Sequence, residues 1–227
     1  MSLRIGVDLD GTLADLSAIY HEHEEALFGK PTDGDIVDPA KSERNQPGKE
    51  KLKAAKQRSR RQEEVWRVLK RTPDFWTRLK PIEPGVVAEL YHQAILHTWE
   101  VFFITQRPKS AGASVQKQTQ DWLIEQGFPT PSVLTLIGSR GKAAQALDLD
   151  FLIDDLPKNC VDVISDSRCR PILVVRHRDE KTVAAARRMN IGIVYSVSEA
   201  IELLSGPAPV VRETAVDRIL KKLGLAR

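Results

Sequence analysis

Six short runs rich in Val, Ile, Leu and Phe punctuate the chain: Leu3 to Val7, Val101 to Ile104, Val133 to Ile137, Phe151 to Ile153, Ile172 to Val175 and Ile193 to Tyr195. Helical patterns separate them, around Val86 to His97, Ser114 to Gln126, Lys142 to Leu147, Asp179 to Met189 and Ser198 to Leu204. Strands alternating with helices predict an α/β protein with a parallel sheet, because each parallel return needs a crossover. Runs that are apolar throughout fit strands covered on both faces, which is the doubly wound, Rossmann-like arrangement.

One interval breaks this alternation. Between Asp15 and about Lys80 there is no strand signal, only a helix from Leu16 to Phe28, a Pro/Gly/Asp-rich loop over 29–48 and a long charged helix from Lys49 to Arg71. Thr72-Pro73 ends that helix, since proline disfavours helical geometry in the residue before it. Residues 16–80 are therefore expected to form a small α-helical cap inserted into a core made of residues 1–15 and 81–204. Residues 205–227 begin with a Gly-Pro-Ala-Pro phrase and continue as a basic amphipathic helix, a tail that packs on the core or on a second subunit of a homodimer.

The charge is unevenly spread. The chain carries a net +3, yet Lys41 to Arg71 alone holds 12 Lys or Arg against 4 acidic residues. Such a block is either a solvated helix face or a positive wall that draws in an anionic substrate, a nucleotide or a nucleic acid. No apolar run approaches the roughly 20 residues of a membrane span. The first strand begins almost at the initiator Met, leaving no room for a signal peptide, so a cytoplasmic protein without membrane contact is expected. Cys160 and Cys169 lack metal-ligand spacing and read as reduced thiols.

The first strand ends in Asp8-Leu9-Asp10-Gly11-Thr12. Strand geometry puts Asp8 and Asp10 on one face at the carboxyl end of the strand, where open α/β sheets bind ligands. Two carboxylates that close repel each other unless a positive group lies between them or one stays protonated. The second strand ends in Thr105-Gln106-Arg107-Pro108, a later strand leads to Gly138-Ser139-Arg140-Gly141-Lys142, and another ends in Asp154-Asp155. A lysine at a helix start is disfavoured by the helix dipole, so Lys142 there suggests a compensating anion. Adjacent acids after a buried strand are costly unless they are paired or hold a cation.

These four motifs, in this order, resemble the haloacid dehalogenase superfamily of aspartate-based phosphotransferases, with Asp8, Asp10 and Thr12 matching its Asp-x-Asp-x-Thr signature. The resemblance implies a magnesium (Mg2+) dependent phosphomonoester hydrolase. Asp8 would be the nucleophile and Asp10 the acid and base. Thr105 and Lys142, chosen over Arg140, would hold the phosphoryl group. Asp8, Asp10 through its backbone carbonyl, and Asp154 would hold the metal, with Asp155 supporting it or a bound water. The second acid, Asp10, favours phosphate chemistry over dehalogenation.

Spacing places the cap. There are 95 positions from Asp10 to Thr105 and only 37 from Thr105 to Lys142, so the insertion follows the first motif. Phe75-Trp76, Pro81-Ile82-x-Pro84-Gly85 and Ile104-Thr105-Gln106-Arg107-Pro108 look most like the 5′(3′)-deoxyribonucleotidase-like branch. That implies a small phosphorylated metabolite such as a nucleoside monophosphate as substrate. Gln106, Arg107 and Lys109 are the candidate substrate-binding residues of the core. Trp66, Phe75 and Trp76 read as core aromatics or as a platform for a base. Two rival readings are a phosphatase of nucleic-acid ends, served by the basic cap, and a non-catalytic binding module.

Overall fold

The structure, a computed structural model, describes residues 2–29, 49–176 and 179–206, with backbone alone for 49–57. Most of the loop expected over 29–48 and of the tail over 205–227 lies outside these residues. Six strands form one parallel sheet: β1 Arg4–Asp8, β2 Glu100–Thr105, β3 Ser132–Thr135, β4 Phe151–Asp154, β5 Arg170–Val174 and β6 Gly192–Val194. Their order is β3-β2-β1-β4-β5-β6. The chain winds outward from β1 through β2 to β3, then returns to place β4 on the other side of β1. Side chains at the carboxyl ends of β1, β2 and β4 therefore converge at the switch point.

The helices are α1 Leu16–Phe28, α2 Lys49–Arg71, α3 Val86–Leu96, α4 Val115–Glu125, α5 Arg140–Ala146, α6 Pro157–Asp166, α7 Glu180–Arg188 and α8 Val197–Ser205, with a short 3-10 turn at Phe75–Thr77. Most begin at a side-chain cap. Asp15 accepts from Ala18 N at 2.9 Å, Ser114 from Lys117 N at 3.2 Å and Ser196 from Glu199 N at 3.0 Å. Two departures from the sequence pattern matter below. Helix α5 starts two residues before Lys142, because Ser139 caps it by accepting from Gly141 N and Lys142 N. Helix α6 was not expected: Val161-Asp162-Val163-Ile164-Ser165-Asp166 alternates like a strand, and only Pro157 at the first turn signals its start. Gly141 lets α5 and α6 approach closely, since a Cβ there would stand 2.1 Å from the Asp162 carbonyl oxygen.

The two ends of the interval 16–80 lie side by side. Asp15 N donates to Lys80 O and Ile82 N to Leu13 O, both at 2.8 Å. Helices α1 and α2 share one buried cluster with the sheet, in which Tyr20, Val65, Trp66 and Leu69 join Phe75, Trp76, Val7 and Phe103. Trp66, Phe75 and Trp76 are thus core residues. The Trp76 and Trp122 indoles, both enclosed, donate to the carbonyls of Pro108 at 3.1 Å and Leu79 at 2.6 Å. Fully buried Gln118 ties the Phe75–Thr77 turn to the loop after β2: it accepts from Trp76 N at 3.0 Å and donates to Ala113 O at 2.6 Å. Cys160 and Cys169 are free and buried, and burial pushes the Cys169 thiol up to about 12. No described helix is long and apolar enough to cross a membrane.

Candidate active site

Asp8 closes β1, and Asp10 lies in the turn that follows. That turn is held by Leu13 N and Ala14 N, which both donate to Leu9 O, at 2.8 and 2.7 Å. Gly11 adopts φ +89°, and a Cβ on it would meet the Asp155 carboxylate at 2.2 Å, so the close approach of the two loops requires glycine. Thr12 Oγ1 donates to Asp155 Oδ1 at 3.2 Å. The register pairs Asp8 with Ile104, which sets Thr105, 1% exposed, one residue further along β2 beside Asp8.

Asp8, Asp154 and Asp155 each offer a carboxylate oxygen within 4.8 Å of the others. Asp154 is fully buried; it accepts from Leu156 N at 2.8 Å and from Asn159 Nδ2 at 3.0 and 2.8 Å. Burial pushes the Asp8 carboxyl well above the usual carboxylate range, against the pull of Arg140. Burial likewise raises Asp154 to about 6, again against Arg140, and Asp155 to about 7, where the Asp8 charge adds to the effect. Three carboxylates thus share a low-dielectric space with one guanidinium. An all-oxygen donor set that is short of positive charge fits a hard dication such as Mg2+.

The basic side chain placed against these carboxylates is Arg140, while Lys142, the residue expected from the sequence, lies exposed. Because Ser139 caps the helix, Arg140 takes the first helical position and is 4% exposed, whereas Lys142 is an exposed residue two positions on. Arg140 Nη2 donates to Asp8 Oδ1, and Nε lies 3.5 Å from Asp154 Oδ2. Its Nη1 is buried without a hydrogen-bond partner among the described residues, so a donor is left over for an incoming anion.

The other candidates divide. Asp10 is outside the carboxylate cluster: its side chain is paired with Arg107, 2.7 Å from Nη2. Arg107 itself is enclosed, in contrast to the substrate contact expected of it. Gln106 is half-buried and donates to Gly138 O, joining the loop after β2 to the loop before α5. Lys109 is exposed and is not brought to the cluster.

Sequence reasoning missed the support of the Asp10 turn. Arg176, just after β5, donates from Nε to Gly11 O at 3.1 Å and from Nη2 to Thr12 O at 2.6 Å. Glu83 lies 3.1 Å from Arg176 Nη1 and accepts from Val197 N at 2.8 Å and from Ser198 N and Oγ at 3.1 Å. Only a basic residue closing a strand hinted at this. Burial would raise the Glu83 carboxyl, but these hydrogen bonds and the Arg176 charge outweigh it, and the carboxyl sits below its usual range. A lowered folded-state pKa contributes stability above the unfolded value, near about 4.3, that is lost as pH falls through the lower folded value. Glu83→Gln is accordingly expected to cost on the order of 2 kcal/mol at pH 7. Urea unfolding should show that deficit shrinking below about pH 4.

Buried carboxylates thus close β1 and β4 of a doubly wound sheet, with a threonine beside them on β2. Residues 2–191 match the family described as "5' nucleotidase, deoxy (Pyrimidine), cytosolic type C protein", and the chain belongs to that family. A Bacillus cereus protein named "Putative nucleotidase" is 29% identical over 109 residues, 46% of this chain and 51% of that protein; the chain spans about half the length of this curated relative. Among solved structures, a haloacid dehalogenase-like hydrolase of Streptococcus pneumoniae matches with a TM-score of 0.53 at 12% identity, covering 89% of this chain and 98% of its own. A haloacid dehalogenase family hydrolase of Deinococcus radiodurans, solved with bound phosphate and sodium, matches with a TM-score of 0.55 at 15% identity over 90% of this chain and 95% of its own. These structural likenesses show a shared fold.

Proposed function

We propose that the chain is a magnesium-dependent phosphomonoester hydrolase that works through an aspartyl-phosphate on Asp8, with a nucleoside monophosphate or similar small metabolite as substrate. The observation that carries this reading is the cluster of Asp8, Asp154 and Asp155 at the switch point, with Arg140 set against Asp8 and Asp154. Asp8 Oδ attacks phosphorus; the bond to the leaving oxygen breaks, and Asp10 supplies the proton that oxygen needs. Asp10, now ionised, takes a proton from water, whose oxygen attacks the same phosphorus. The bond to Asp8 breaks, inorganic phosphate leaves, and both aspartates are restored. Thr105 and the spare donor of Arg140 hold the equatorial oxygens as charge moves across the phosphoryl group. Asp8, Asp154 and Asp155 would hold Mg2+, which supplies charge neutralisation for the approach of a carboxylate to a phosphate.

In this reading the protein is a cytoplasmic enzyme, and helices α1 and α2 belong to a cap beside its core. The family match supports a nucleotide as substrate. Helix α2 gathers much of the basic block on one element, which favours phosphorylated nucleic-acid ends as the second reading. A phosphate-release screen decides between them, using nucleoside monophosphates, sugar phosphates and 5′-phosphorylated oligonucleotides, with Mg2+ and with EDTA. Release that needs Mg2+ and is fastest with mononucleotides is the expected result. Preference for oligonucleotides, with activity falling steeply as salt rises, would move the substrate to nucleic-acid ends. No release from any ester, p-nitrophenyl phosphate included, would leave only a binding module.

A further inference from the structure

We infer that Arg107 is a positioning residue for Asp10 and does not bind substrate; the inference rests on the hydrolase reading above. Arg107 stands two residues past Thr105, and its side chain has no exposed surface to offer a ligand. Its guanidinium is held on several sides. Nε donates to both carboxylate oxygens of Asp10, at 3.1 and 3.0 Å, and Nη2 donates to Oδ1 at 2.7 Å. Nη1 donates to Thr119 Oγ1 at 2.9 Å, and the guanidinium carbon sits 4.7 Å from the centre of the Trp76 ring.

The holders are themselves held. Thr119 Oγ1 donates to Val115 O at 2.8 Å within α4, and Trp76 is pinned through its indole to Pro108 O. The result is a rigid planar fork that fixes the plane of a carboxylate at the tip of a turn, while the Asp10 side chain keeps 19% of its surface open. Proton transfer to a leaving oxygen depends on the donor lying within hydrogen-bond reach and correctly aligned, so a clamp on Asp10 acts on the reaction without touching substrate. A merely structural ion pair would join the loop after β2 to the turn after β1 and leave the chemistry alone.

The two roles separate by leaving group. A p-nitrophenolate departs without a proton, whereas the benzyl alkoxide needs one, and the two esters are similar in size. The ratio of kcat/KM for p-nitrophenyl phosphate and benzyl phosphate reads the departure step alone, because hydrolysis of the phosphoenzyme comes later. Arg107→Lys keeps the charge but loses the fork, and Thr119→Val removes one support at little cost in shape. With Mg2+ present, Arg107→Lys should lower kcat/KM on benzyl phosphate by about 10²-fold, within the range that general acid catalysis contributes. On p-nitrophenyl phosphate the fall should be less than about 3-fold. Thr119→Val should move the same ratio in the same direction by a smaller factor, and Asp10→Asn by a larger one. An equal fall on both esters in Arg107→Lys and Thr119→Val, with Asp10→Asn still discriminating, overturns the inference and leaves the hydrolase reading standing. Wild-type protein inactive on both esters overturns the reading and the inference together.

Discussion

Exchanging Asp8 for asparagine is expected to lower kcat for phosphate release by at least about 10⁴-fold while the chain stays folded. The amide has nearly the volume of the carboxylate but lacks the charge and the nucleophilic oxygen, so the proposed phosphoenzyme could not form. Folding should tolerate the change because burial already opposes a charge at this position, pushing the Asp8 carboxyl well above the usual range. The opposing cost is that Arg140 loses a charged acceptor, so the two effects offset in part. Steady-state phosphate release together with a thermal melt separates loss of chemistry from loss of fold. Activity within tenfold of wild type would remove Asp8 from the nucleophile's role.

The second large effect belongs to Arg140. Its removal leaves the Asp8 and Asp154 carboxylates in a buried space with no other ion-pair partner among the described residues. Breaking a buried pair by deleting one partner costs about 3–5 kcal/mol, and Arg140→Ala should destabilise the protein by that order. If Arg140 serves the transferring phosphoryl group as proposed, its loss should separately lower kcat by about 10²- to 10³-fold. Lys142→Ala, at an exposed site, should change stability by less than about 0.5 kcal/mol and barely alter kcat. Parallel denaturant unfolding and kinetics on the two variants decide which basic residue of this turn serves the site. The reverse ranking, with Lys142→Ala inactive and Arg140→Ala active, would restore the lysine.

The contrast between these residues shows what the sequence carried and what it did not. Apart from α6, the order of strands and helices was legible because fully apolar runs and amphipathic stretches alternate along the chain. The carboxylates and Thr105 were legible because each sits where a strand ends, a place the alternation itself marks. Choosing between Arg140 and Lys142 depended on where α5 begins, and that is set by the side chain of Ser139, a cap whose reach shifts the first turn by two positions. Arg107 looked like a free cation beside a phosphate site. Its burial follows from Trp76 and Thr119, which lie far from it in one direction of the chain and 12 residues away in the other. The Arg176 and Glu83 support of the Asp10 turn joins three distant segments, and no local pattern encodes it. Asp155 was assigned a supporting role, yet it brings its carboxylate into the same cluster as Asp8 and Asp154, because Gly11 lets the two loops nearly touch.

The phosphoenzyme itself offers the most direct test. Wild-type protein mixed with a turned-over phosphomonoester and Mg2+, then quenched in acid within one turnover, should carry a phosphoryl group. Peptide fragmentation should place that group on Asp8 and not on Asp10, and the adduct should disappear once the ester is exhausted and hydrolysis completes the cycle. Turnover that proceeds at full rate with no adduct on Asp8, and that survives in Asp8→Asn, would contradict the aspartyl-phosphate route.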